Sequence, residues 1–114
     1  MGKALLVAKP INPLASAQVA SLFGYSSNSA TEANTQASCT EAATFSNLRT
    51  NIIAGNSGTA TFTFRDAGAN GQQTFQITGT GSNEDAINSD VLAAADLFNI
   101  AYTDTGTDTT LARL

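Results

Sequence analysis

The clearest pattern in the chain is alternation. From Thr59 to Arg65 (TATFTFR), Ala60, Phe62 and Phe64 fall on one face and Thr59, Thr61, Thr63 and Arg65 on the other. That period of two marks a strand with one buried face. Gln72 to Thr78 (QQTFQIT) repeats it, with Phe75 and Ile77 inward. Between them, Asp66 to Gly71 supplies two glycines and an Asn-Gly pair. Such residues reach positive φ in tight turns, so the two runs predict a β-hairpin. Upstream, Ser46, Leu48, Thr50 and Ile52 alternate with Asn47, Arg49 and Asn51, predicting a half-buried strand before a Gly55-Asn-Ser-Gly58 turn. Downstream, Leu97 to Thr103 alternates with Phe98, Ile100 and Tyr102 on one face.

Other stretches are less regular. Asp85 to Asn88 predicts only a short strand, and Val91 to Asp96 (VLAAAD) a helical turn. Residues 15–23 fit a helical turn or a strand equally well. Residues 24–44 are small and polar and predict a loop, with a weak strand around Ala33 to Cys39. Thr110 to Leu114 begins a last strand after a turn at Thr105 to Thr107. Short strands spaced about ten residues apart predict an all-β fold, a jelly-roll-like antiparallel β-sandwich.

The beginning of the chain reads differently. Lys3 to Lys9 has the makings of a short strand, and Pro10 and Pro13, the only prolines, interrupt regular pairing after it. Residues 1–14 are therefore expected to form an extended N-terminal arm, and residues 15–114 the sandwich domain. Within the arm, Lys3, Leu5, Leu6, Val7, Lys9, Pro10 and Ile11 are the candidate partner contact. A short apolar strand before two prolines suits addition to a neighbour's sheet edge. It suits an edge strand of the protein's own sheet equally.

Composition narrows the picture. The 114 residues make one ordinary domain. Leu, Ile, Val and Phe supply about a fifth of them, close to the level at which a core becomes thin. A small domain with a thin core gains stability from partner chains, so an oligomer is expected. Charged residues are 12% of the chain, and the net charge is −4. Lys3, Lys9, Arg49, Arg65 and Arg113 are scattered, whereas a nucleic-acid binder needs a clustered basic face. The apolar run Ala4 to Ala8 is too short for a leader, and no stretch approaches the roughly 20 apolar residues of a membrane helix.

Candidate chemistry is sparse. The chain has no histidine, which removes histidine bases and imidazole metal sites. Its one cysteine, Cys39, has no partner for a disulfide and reads as a small buried side chain. The glycines follow no phosphate-binding spacing. Asp104-Thr-Gly106 resembles the catalytic loop of retroviral-type aspartic proteases, in which two carboxylates share a proton. Only eight residues follow Gly106, too few for the flap and second signature of those enzymes, so a Gly-centred turn is expected. Asn83, Glu84, Asp85 and Asp90, and separately Asp104 and Asp108, offer oxygen ligands for calcium, but the calcium-loop spacing is absent. They are expected to be solvated turn residues. No cofactor and no catalytic residue are expected.

A longer pattern runs over residues 31–110. Its pieces are Thr31-Glu-Ala-Asn34, Phe45-Ser-Asn-Leu48, Thr59-Ala-Thr-Phe-Thr-Phe-Arg65, Thr74-Phe-Gln-Ile-Thr78 and Asn88-Ser-Asp-Val-Leu-Ala-Ala-Ala-Asp-Leu-Phe-Asn-Ile100. In this order the pieces resemble the small virion-surface β-domains of tailed bacteriophages. In that family the last piece reads Asn-Ser-Val-Ser-Val, a small-residue turn, then Gly-Asp before a strand. Here Ala95 stands in place of the Gly, and Asp96 keeps the acidic turn residue. The resemblance implies a jelly-roll-like sandwich related in shape to trimeric tumour-necrosis-factor-like domains. It further implies a non-catalytic structural protein on the outer capsid surface of the virion: a decoration (cement) protein binding the major capsid protein, as a homotrimer. The alternative within the same resemblance is a host-recognition or fibre- or tail-associated binding module. The family closes with a full strand after the Gly-Thr turn. Here Thr110 to Leu114 must serve, as a short strand or one completed by a neighbouring chain.

Overall fold

A computed structural model describes residues 10–14, 18–20, 33, 36–54, 57–106 and 110–113. Among the described residues nine strands follow one another: β1 (Pro10–Leu14), β2 (Gln18–Ala20), β3 (Ala37–Ser38), β4 (Ala43–Ala54), β5 (Thr59–Asp66), β6 (Ala69–Thr78), β7 (Gly81–Leu92), β8 (Leu97–Asp104) and β9 (Thr110–Arg113). No α-helix occurs among the described residues. One sheet has the order β1-β9-β4-β7 and the other β2-β8-β5-β6, with β3 pairing β8 beside β2. Every pairing is antiparallel.

The pairs are nested. β5 pairs β6, β4 pairs β7, β2 pairs β8 and β1 pairs β9. The chain is thus one long antiparallel ribbon, doubled at the β5–β6 hairpin and wrapped so that β9 meets β4 and β8 meets β5. This is the strand order of an eight-stranded jelly roll, the fold the strand spacing predicted.

The predicted hairpin forms with a different turn. Asp66 faces Ala69 across a two-residue turn, with φ of 47° at Ala67 and 84° at Gly68. Positive φ at both central residues matches the twist of a two-residue hairpin. Asn70 and Gly71, expected in the loop, belong to β6. Arg65 secures the turn, its guanidinium donating to Asn70 Oδ1 and to the Gly68 carbonyl.

The core lies between the sheets. Ala60, Phe62 and Phe64 of β5, Phe75 and Ile77 of β6, and Phe98, Ile100 and Tyr102 of β8 are buried as their alternation predicted. Leu48 and Ile52 of β4 and Leu92 of β7 face them from the opposite sheet. Phe62 lies 5.6 Å from Phe75 and 5.3 Å from Tyr102, and Phe45 lies 5.0 Å from Phe98, centroid to centroid. Aromatic rings fill much volume per residue, which lets few large side chains build this core.

Two expectations fail at one place. Ser46 was grouped with Leu48 on the inner face but is exposed, while Phe45 is half-buried and packs on the core. A bulge explains it. The β4–β7 register slips between Ser46 and Leu48, and Asn47 takes a φ of 57°. A bulge shifts the inward phase by one residue. Opposite Asn47, β7 has three residues, Ala86, Ile87 and Asn88, and β7 is a strand of 12 residues where only a short one was predicted. The predicted helical turn at Val91 to Asp96 is instead the end of β7 and a tight turn. Asp96 Oδ2 accepts the Ala93 N–H at 2.8 Å there, and Ala95 has a φ of 73°.

Candidate functional site

The arm meets the fold at an outer edge. Pro10 and Ile11 open β1, which pairs with β9 at the margin of its sheet. Two prolines fit because Pro10 begins the strand and Pro13 sits in a bulge, where Asn12 and Pro13 oppose Leu111. Lys3, Leu5, Leu6, Val7 and Lys9 lie outside the described residues. β9 itself is an inner strand, between β1 and β4 of the same chain.

The acidic residues considered for calcium do something else. β6 and β7 are the last strands of their respective sheets and meet at one side of the sandwich. Along this seam, β7 side chains accept hydrogen bonds from the β6 backbone. Asp85 Oδ2 accepts the Thr74 N–H at 3.0 Å and the Asn88 side-chain amide at 2.9 Å. Its Oδ1 accepts the N–H groups of Ile87 at 3.1 Å and Asn88 at 2.9 Å. Those two bonds shape the bulge at Ala86 to Asn88. The donors, the Asn88 side chain first, hold the Asp85 carboxyl far below the ordinary carboxylate range.

Asp90 continues the seam. Its carboxylate accepts the N–H groups of Gln72 and Gln73 and the Gln73 side-chain amide. A methyl group on Gly71 would collide with this carboxylate, so the close approach requires glycine there. Gln73, 1% exposed, also donates to the Phe45 carbonyl at 3.0 Å and accepts the Leu48 N–H at 2.8 Å. These are the backbone groups on either side of the β4 bulge. One uncharged side chain therefore ties both sheets together where the bulge interrupts normal pairing. Asn83 adds a bond from its side-chain amide to the Gln76 carbonyl at 2.9 Å. Among the described residues, no group of three or more acidic or sulfur side chains is placed to hold a metal ion.

Asp104-Thr105-Gly106 forms the expected turn. Asp104 accepts the Tyr102 hydroxyl at 3.0 Å and the Gly106 N–H at 2.9 Å. Thr105 Oγ1 accepts the Thr59 N–H at 2.9 Å, which docks the turn on the Ser57–Gly58 corner. A Cβ on Gly58 would lie 2.5 Å from Thr105 Oγ1 and 2.6 Å from the Gly106 nitrogen, so the Gly58 backbone packs directly on this turn. Asp108 lies outside the described residues, as does Tyr25, the one loop aromatic that would suit a recognition surface. Cys39 is buried, as expected, with its thiol directed at the Glu41 carbonyl.

The outer surfaces carry little charge. On the β5–β6 hairpin, Thr59 pairs with Thr78 and Thr63 with Thr74 through their hydroxyls at 3.0 Å, and Gln76 donates to Thr61 at 3.2 Å. On the other sheet, Ile87 is 93% exposed and Val91 71% exposed. No protein-family model, curated protein or solved structure matches the chain.

Sequence reasoning missed Gln73, Asp85 and Asp90 as organisers. Gln73 carried a weak signal, since it falls on the inward register of Phe75 and Ile77. The two aspartates carried none, because their donors come from β6, distant in sequence, and from a bulge.

Proposed function

We propose that the chain is a structural virion protein: a capsid decoration (cement) subunit that binds the outer shell of a phage head and reinforces it through contacts between subunits. The supporting observation is the nested jelly-roll order, an architecture that recurs in viral shell and lectin domains. Fold alone leaves the role open, and the resemblance over residues 31–110 supplies the direction. Ala95 supports the alignment of that resemblance. The family has glycine at this position, and here the backbone takes a φ of 73°, which glycine adopts freely.

In this reading the major capsid protein is the partner and the subunit acts as a homotrimer. Shell stability rises by linkage, because each bound subunit adds contacts only the assembled lattice offers. Residues Lys3 to Lys9 make the shell contact by strand addition, and Pro10 and Ile11 anchor that segment to the sheet margin through β1. The outer faces suit burial against protein, since hydroxyl and amide groups pair locally and few charges need desolvation.

The test is a truncation. Removing residues 1–9 leaves β1 and the rest of the ribbon in place. The shortened chain is expected to keep its sandwich by circular dichroism and lose binding to capsids. Unchanged binding contradicts the role of the arm. Binding instead to a host surface glycan would favour the recognition-module alternative.

A further inference from the structure

β6 is the last strand of its sheet, and its outward backbone groups form a pairing edge. Its sequence, ANGQQTFQIT, has no charged residue and no proline. Proteins normally blunt such an edge with lysine, proline or a covering element. Here a bulge at Gly71 to Gln73 twists one end of the edge, and the cover is a row of side chains from β7. Asp90 takes the N–H groups of Gln72 and Gln73, Asp85 takes that of Thr74, and Asn83 takes the carbonyl of Gln76. We infer that Asp85, Asp90 and Asn83 are a guard over a latent association edge, and that opening it lets β6 pair antiparallel with β6 of a second copy.

The second copy is the fitting occupant for two reasons. An edge with no charge meets its own image without repulsion, and antiparallel pairing about a two-fold axis presents donors to acceptors on both sides. The inference does not depend on the virion reading. It explains why β7 buries two carboxylates on its inner face while Ile87 and Val91 face outward, an inversion of the usual amphipathic order.

The guard is electrostatic in one specific sense. Each aspartate uses both oxygens as acceptors, so an amide in its place must turn an NH2 group toward backbone N–H donors. The charged groups around the seam do not substitute for it. β6 has none, and β4 offers Arg49, which pairs in register with Glu84 of β7. β5 offers Arg65, engaged at the hairpin turn, and Asp66, which lies near Asp90 and Asp96.

Hydrogen exchange and sedimentation of the full chain test this. In the wild-type protein at neutral pH, the amides of Gln72, Gln73 and Thr74 should be protected although they lie on an edge strand. In an acid titration the Thr74 amide, held by Asp85, should lose protection before the amides of central strand β5, by tenfold or more in relative rate, and only below the usual carboxylate range near pH 4. The sedimentation coefficient should step upward with that loss. Asp85→Asn with Asp90→Asn should bring the same local loss and association at neutral pH. Rapid exchange of the three amides in the wild type at neutral pH overturns the guard. So does simultaneous loss across β5, β6 and β8 during the titration, or release of β6 without association.

Discussion

Gln73 is a single uncharged side chain with four polar bonds to make and almost no water to make them with. It bonds to the Phe45 carbonyl, the Leu48 N–H and Asp90. Replacing it with leucine keeps the volume and removes every one of those bonds. The Leu48 N–H is then buried without a partner, which costs about 1–3 kcal/mol. Gln73→Leu should therefore lower the midpoint of urea unfolding with an unchanged m-value, and wild-type stability in the variant would refute the assigned role. Ala95 predicts the opposite sign. Ala95→Gly removes the penalty of a left-handed alanine and is expected to stabilise the fold by about 0.5–1 kcal/mol, read in the same unfolding experiment.

Protonation acts at this scale too. Asp85 has a folded-state affinity for protons below that of the unfolded chain, so its contribution is complete above about pH 4. It is lost as pH falls toward the folded value. Asp66 is shifted upward, first by burial and then by Asp96 and Asp90, so it contributes with the opposite sign. Its charge opposes folding at neutral pH, and its protonation offsets part of the acid loss. Thermal unfolding should show stability falling below about pH 4, and Asp85→Ala should flatten that fall. An equally steep acid fall in the variant would refute the assignment to Asp85.

At the scale of elements, legibility followed the hydrophobic pattern. β5, β6 and β8 place Phe62, Phe64, Phe75, Ile77, Phe98, Ile100 and Tyr102 inward as their alternation predicted, and the pairing of β5 with β6 was readable from sequence. β7 was not, because it inverts the pattern. Asp85 and Asp90 face the interior, Ile87 and Val91 face water, and the bulge at Ala86 to Asn88 breaks the period between them. Periodicity assumes that apolar means inside, and here backbone donors from β6 make carboxylates the better interior residues. β4 shows the milder case: its alternation holds from Leu48 to Ile52 and changes phase at Asn47. The turn between β5 and β6 formed at Ala67-Gly68 although Asn70-Gly71 was the stronger local signal. A bulge at Gly71 to Gln73 joins this turn to the register across Thr63 and Thr74, and the Asp90 carboxylate accepts the Gln72 and Gln73 N–H groups there.

At the scale of the molecule, the wrapped ribbon has two unlike sides. One ends in β6 and β7, closed by aspartate and amide side chains, and the other ends in β1 of one sheet and β2 of the other. The sandwich class was readable because strand spacing and turn residues are local. The nesting was not, because pairs such as β1 with β9 join residues about a hundred positions apart, and no local signal encodes them. The proposed role uses both sides: the seam keeps the body discrete, and β1 lies at the margin next to the proposed contact residues Lys3 to Lys9 in the chain.

The most direct measurement is co-sedimentation of the purified chain with phage capsids stripped of minor proteins, together with a thermal scan of the shell. The account predicts saturable binding at a fixed ratio to the major capsid protein and a higher shell melting temperature. No binding, or binding that leaves shell melting unchanged, would contradict it.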